Sequence, residues 1–463
     1  MKMSRYLYSS ILVISALATT VGLSGNAFAQ SDDDRPNILF IFTDDQGWND
    51  LSVLMDRDIP ESRSDYNHTP NIATIAERGM VFSNAYAAAP MCFSSRRSFH
   101  TGKSAAQSSY SDRAAELHET SMTIGELMQS AGYATAHFGK WSPGPPAAGL
   151  QFYDSSDGNQ GNNAGNTDDP SNPKDIFGIT ERAVAFIEES VTAGRPFYMH
   201  LSHFAPHMAI QALEETIEAW QDVPPGPVHG DPAYAAMVQD LDSGIGALLD
   251  KLSELGIEDN TYVIYTSDHG QTINASSNAP LSLGKGTLWE GGLRVPLIVS
   301  GPGIPAGSTS GTRTVSLDFY PTFAEIADAT ASVPDDIEGG NLLPVLLNNG
   351  DGEIERPRDE LIFHFGQPSG QPNSVAASSL YLDDYKLLKL YDTGTLHLFN
   401  ITEDPAEQND LAGQMPDRVA DMHTRMTNYL DAVDANIPDP SQARGSGRGP
   451  GGMGMGMGMG AGP

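Results

Sequence analysis

One stretch limits the fold more than any other. Asn37-Ile38-Leu39-Phe40-Ile41-Phe42-Thr43 is an almost unbroken apolar run of strand length, and it stops on Asp44-Asp45. A strand with one wet face alternates apolar and polar residues, so a run without alternation predicts a strand covered on both faces, as in a parallel sheet between layers of helices. Ligands of such sheets gather where the strands end, which puts the two aspartates in position for a site.

The pattern recurs. Residues 133–138, 196–202, 261–266 and 295–299 read as strands, and 71–79, 120–130, 179–190, 234–255 and 317–328 as helices; in the longest helix Met237, Leu241, Ile245, Leu248 and Leu252 recur at helical spacing. Strand and helix in repeated order predict an α/β fold over residues 30–355, a large mostly parallel sheet flanked by helices. Residues 155–173, rich in Gly, Asn, Asp, Ser and Pro, read as a long surface loop. From 356 to 440 the pattern changes to short strands at 361–365, 379–382 and 385–391. A helix at 418–433 follows, with Val419, Met422, Met426 and Leu430 on one face, so a small C-terminal antiparallel sheet plus helix is expected. The tail 441–463, ending in alternating Gly and Met, has no face to bury and is expected to be disordered.

The N-terminus carries Lys2 and Arg5, an apolar segment from Ile11 to Val21, and Asn26-Ala27-Phe28-Ala29. These are the three parts of a secretory signal covering residues 1–29, so the mature chain is expected in a periplasm or secreted. No other stretch approaches ~18 uninterrupted apolar residues, and no membrane span is expected. The formal net charge is −33, and loss of Lys2 and Arg5 with the signal deepens it by two. Such acidity argues against nucleic acid and anionic membranes as partners.

Cys92 is the only cysteine, so no internal disulfide forms and the thiol is an inert core group, an intermolecular link or a residue kept for reactivity. Arg96 follows at i+4 and Thr101-Gly102 at i+9 and i+10. This would present Cys92 at the start of a helix whose free N–H groups favour an anion.

Asp44 and Asp45 after one strand, and Asp268 and His269 after another, would share an edge of the sheet. Three adjacent carboxylates repel unless a cation joins them, and oxygen-rich ligation favours Ca2+ or Mg2+, with Mn2+ left open by the imidazole. Arg96, Lys140, Lys285, His203 and His207 fall at loops and strand ends. A metal with several cations suits transfer of an anionic group, sulfuryl or phosphoryl.

The ordered segments Pro36 to Asp45, Thr69-Pro70-Asn71, Cys92 to Gly102, Gly139-Lys140-Trp141, Ala205-Pro206-His207, Ser267-Asp268-His269-Gly270, Lys285-Gly286, Glu290 to Pro296 and Asp404 to Asn409 resemble the landmarks of the formylglycine-dependent (type I) sulfatases of the alkaline phosphatase superfamily. The resemblance implies Ca2+ held by Asp44, Asp45, Asp268 and His269, and conversion of Cys92 to formylglycine by a formylglycine-generating machinery. It further implies attack on sulfur by a hydroxyl of the hydrate with Arg96 assisting, Lys140 and Lys285 on the sulfate oxygens, and His207 near the leaving oxygen. A sulfated enzyme intermediate would then expel sulfate. His203, His100, Ser142 and Arg294 are placed with the substrate.

Three positions depart from the family pattern: Ser94 stands where a proline is usual, His100 where Leu or Met is, and Ser142 where a histidine serves the sulfate pocket, with His100 or His137 as nearby replacements. The implied activity is removal of sulfate from a small organic or carbohydrate sulfate. Phosphoester or phosphonate hydrolysis on the same scaffold, and an inactive binding protein with unmodified Cys92, are the alternatives.

Overall fold

The computed structural model describes residues 33–107, 117–145, 147, 149–157 and 165–440. The expected signal (1–29), the tail (441–463) and the middle of the 155–173 stretch lie outside the described residues. In chain order the strands are β1 (Asn37–Thr43), β2 (Met80–Phe82), β3 (Ala85–Tyr86), β4 (Ala134–Gly139), β5 (Ser155–Ser156), β6 (Phe197–Ser202), β7 (Thr261–Ser267), β8 (Leu297–Ser300), β9 (Ser308–Ser310), β10 (Thr314–Val315), β11 (Leu361–Phe365), β12 (Ala377–Leu382), β13 (Tyr385–Leu390) and β14 (Leu396–Asn400).

Eight of them form the main sheet in the order β5-β4-β6-β1-β7-β8-β2-β9. The pairs β4–β6, β6–β1 and β1–β7 are parallel, while β8 runs antiparallel to both β7 and β2. The central place of β1 explains its composition. Ile38, Phe40 and Phe42 enter one apolar layer with Phe99, Phe319 and Phe323; Leu39 and Ile41 enter the opposite layer with Ile179, Leu241 and Ile245. All seven β1 residues are buried.

Local chemistry shifts some expected boundaries. The helix expected at 120–130 is two, Leu117–Thr120 and Ile124–Ser130, because Thr123 and Glu126 form a reciprocal capping box that starts the second. The C-terminal unit is a four-stranded antiparallel sheet, β11-β12-β13-β14, rather than three strands. The added β14 is an edge strand with only Leu398 and Phe399 buried, so its sequence alternates weakly. Helix Pro416–Ala432 packs Met422, Met426 and Leu430 on one face of this sheet, against Ile362, Leu380, Leu387 and Leu398. The other face meets Tyr86, Leu293 and Val315 of the large unit. Among the described residues no helix is long and apolar enough to cross a membrane.

Four neighbouring strands end at one edge. β4 delivers Lys140, β6 His203, β1 Asp44 and β7 Asp268.

Candidate active site

The turn after β1 is built by backbone bonds. The Asp44 amide donates to the Ala205 carbonyl (3.3 Å), the Asp268 amide to the Thr43 carbonyl (3.2 Å), and the Asp45 amide to Asp268 Oδ1 (3.1 Å). Asp45 has φ 63°, a left-handed conformation that aspartate tolerates better than most side chains.

Helix Cys92–Thr101 begins with Cys92 as its first residue after the extended Met91 and ends at Gly102, φ 66°. A Cβ on Gly102 would lie 2.8 Å from Ile337, so the tight left-handed turn needs glycine on both counts. Cys92 Sγ lies 3.2 Å from His269 Nε2, 3.5 Å from Asp44 Oδ1, 4.0 Å from Asp45 Oδ1 and 3.4 Å from Lys140 Nζ. Burial pushes the thiol up to about 12, so it stays protonated and is a poor nucleophile near neutral pH.

One turn along, Arg96 is completely buried. Its Nε donates to Asp268 Oδ2 (2.9 Å), Nη1 to Ser202 Oγ, and Nη2 to the Thr43 carbonyl (3.3 Å). Lys140 Nζ donates to Asp44 Oδ2 (2.5 Å), and Lys285 Nζ to both oxygens of Asp45 (2.6 and 2.8 Å). Burial alone would raise Asp44, but Lys140, His207, Arg96 and Lys285 hold it well below the usual carboxylate range. Asp45 is lowered too, against its burial, chiefly by Lys285 and His269. Burial alone would lower Lys140 and Lys285; the anionic groups around them raise both, so they stay cationic.

The donor set fits a divalent ion. Ligand atoms of Asp44, Cys92, Asp268 and His269 lie within 4.8 Å of one another, as do those of Asp44, Asp45, Cys92 and His207. His269 Nδ1 bonds the Gly270 carbonyl (3.0 Å), which leaves the Nε2 lone pair facing the cluster. Carboxylate oxygens dominate, the chemistry of Ca2+ rather than of a thiophilic metal.

The remaining expected residues are placed differently. His207 is at the rim, with Nδ1 bonded to the Met208 carbonyl and Nε2 3.7 Å from Asp45 Oδ2. His203 is fully buried and burial lowers it to about 4. Ser142, at φ 71°, is buried beside the Lys140 segment. His100 lies two helical turns beyond Cys92, about 12 Å along the axis, and packs on Trp141 and His200 with ring centroids 4.7 and 4.8 Å away. His137 Nδ1 meets His200 Nδ1 at 3.2 Å in the same layer. Arg294 turns toward Glu290 (3.4 Å) and the ring of Trp48.

Two contributors escaped the sequence reading. Ser202 orients Arg96 from the end of β6, with no motif to mark it. Lys174 is buried and lowered to about 8, chiefly by burial, with the charges of Asp44, Lys140 and Asp45 acting on it. A lysine in a polar loop looks solvated until the fold covers it.

A buried carboxylate–imidazole cluster ringed by cations at the carboxyl ends of a parallel sheet defines a hydrolase of anionic esters. The sulfatase family model matches residues 36–329, and that described as N-sulphoglucosamine sulphohydrolase, C-terminal, matches 283–436. The chain belongs to the sulfatase family and is an enzyme that hydrolyses sulfate esters through a cysteine-derived residue. It is 27% identical to a sulfatase of Formosa agariphila over 92% of this chain and 93% of that one, and 26% identical to arylsulfatase G of Rattus norvegicus over 89% of each. A solved structure of Ps i-CgsB in complex with k-i-k-neocarrahexaose aligns with TM-score 0.74 and 25% identity, covering 89% of this chain and 95% of that chain.

Proposed function

We propose that the protein is an exported carbohydrate sulfatase acting on a small sulfated sugar or oligosaccharide, with Cys92 converted to formylglycine by a dedicated machinery. The observation that carries this is the convergence of Asp44, Asp45, His269 and Lys140 on the Cys92 side chain. The neocarrahexaose complex of Ps i-CgsB supports the carbohydrate class, and the signal-like N-terminus supports export. Net charge −33 repels long polyanions and favours short substrates.

Bound Ca2+ would be held by Asp44, Asp45, Asp268 and His269 and would neutralise charge on a sulfate oxygen. Formylglycine at position 92 would supply a hydrated aldehyde, one hydroxyl of which is suited to nucleophilic attack. Around it, Lys140 and Lys285 hold sulfate oxygens, and Arg96 keeps Asp268 and the end of β6 in register. His207 has Nδ1 tied to a carbonyl, so the proton it moves to the leaving oxygen is at Nε2. Peptide mass spectrometry of the exported protein, with turnover measured on matched sulfate and phosphate esters, tests the reading. The expected result is a formylglycine mass at position 92 and turnover of the sulfate ester; unmodified Cys92, or faster phosphate turnover, counts against it.

A further inference from the structure

The segments carrying Lys285 and His269 have a second set of supports, and these come from the C-terminal unit. Lys386, on β13, is fully buried, and its Nζ donates to Glu407 Oε1 (2.6 Å) and Glu290 Oε1 (3.1 Å). Glu407 Oε2 accepts the backbone N–H of Glu290 (2.9 Å), and Ser282 Oγ donates to the Ala406 carbonyl (2.6 Å). Tyr381 (2.7 Å) and Tyr86 (2.8 Å) donate to the Glu290 carboxylate, with Arg294 Nε 3.4 Å away.

From Glu290 the restraint runs on to the site. The Gly291 N–H donates to the Ser282 carbonyl (2.9 Å), at the head of the loop that carries Lys285. The Gly270 N–H, next to His269, donates to the Gly292 carbonyl (3.1 Å), and the Lys285 N–H to the Gln271 carbonyl (3.0 Å). The packing leaves no slack: a Cβ on Gly270 would stand 1.8 Å from the Gly291 oxygen. On the far side of Lys285, a Cβ on Gly286 would meet Ser369 Oγ at 2.6 Å and Gln371 Cβ at 2.8 Å, both in the C-terminal unit.

Stability alone is a poor reason for this network. Burying a lysine and two carboxylates costs several kcal/mol per ion, and apolar side chains of similar volume often hold a core as well. What ions with directed hydrogen bonds add is one geometry.

We propose that Lys386 is a positioning residue that, through Glu407 and Glu290, fixes the two segments aiming Lys285 and His269 at the Cys92 cluster. The inference rests on the sulfatase reading of that cluster. The test compares the full-length wild type with Lys386→Met/Glu407→Gln, in which Glu290 keeps Arg294 as its partner, and with Lys386→Arg. Steady-state kinetics on an aryl sulfate, Tm, and calorimetric titration with Ca2+ alone are read for each.

A misplacement on the order of 1 Å costs roughly 100-fold in rate, so kcat of the double variant falls at least tenfold while KM moves less. Ca2+ affinity weakens, Tm stays within a few degrees, and Lys386→Arg recovers most of kcat. A lowered Tm with kcat and Ca2+ affinity unchanged overturns the proposal, as does loss of kcat only in step with Tm. Should the double variant not fold, Glu407→Gln alone keeps one acceptor, for the Glu290 N–H, loses the charge and the second acceptor that faces Lys386, and is read the same way. If wild type turns over no sulfate ester, the functional reading fails and Ca2+ affinity decides alone: equal affinity in wild type and variant overturns the positioning role.

Discussion

Lys140 Nζ lies 2.5 Å from Asp44 Oδ2 and 3.4 Å from Cys92 Sγ, so one ammonium group spans a metal-site carboxylate and the residue to be modified. Both contacts are buried, where a charge acts through little water.

Replacing Lys140 by Met leaves Asp44 with one cation fewer and the transferred group without its donor. Loss of one well-placed donor at such a site costs about 10²–10³ in kcat. Steady-state assays on an aryl sulfate check this; a fall under threefold would remove Lys140 from the sulfate-binding set.

Cys92→Ala separates chemistry from folding. The side chain is small and begins its helix, so the variant keeps a Tm close to that of wild type, while turnover disappears with the precursor of the nucleophile. Residual turnover above a hundredth of wild type would mean that another group attacks.

Removal of divalent metal has a double effect. Asp44, Asp45 and Asp268 crowd one site, so chelation abolishes turnover and lowers Tm, and added Ca2+ restores both in a concentration-dependent way. A Tm insensitive to chelator and Ca2+ would contradict an ion at these carboxylates.

Acid should weaken the fold through its buried imidazoles. Burial holds His137 and His203 at about 4, below the ordinary 6.5, and drives His100 and His200 well below it. The unfolded chain therefore binds more protons between these values: the stability is complete above about 6.5 and is lost as pH falls toward 4. Each histidine contributes up to about 1.4 kcal/mol per pH unit in that window. Urea unfolding at pH 7, 6 and 5 measures the slope, and His137→Gln reduces it; an equal slope in the variant would show that His137 already binds its proton in the folded state.

The sequence alone determined a good deal, because some constraints are local. An apolar run without alternation has one use, a strand covered on both faces, and β1 is such a strand. Aspartates directly after two such runs had to reach the sheet edge together. Cys92 stands at a helix start with Arg96 one turn in, as spacing indicated, while the left-handed stop at Gly102 is seen only in the fold.

Tertiary structure decided what spacing cannot express. His100 follows Arg96 by one turn yet faces an aromatic layer, because each turn carries a side chain deeper beneath the sheet edge. Lys174 becomes a buried cation only when its loop is covered, and Lys386, more than 100 residues beyond His269, enters the support of that residue through β13. Chain order records which residues follow one another; the packing of two units across Glu290 determines which of them share a dry interior where a charge must find its partner.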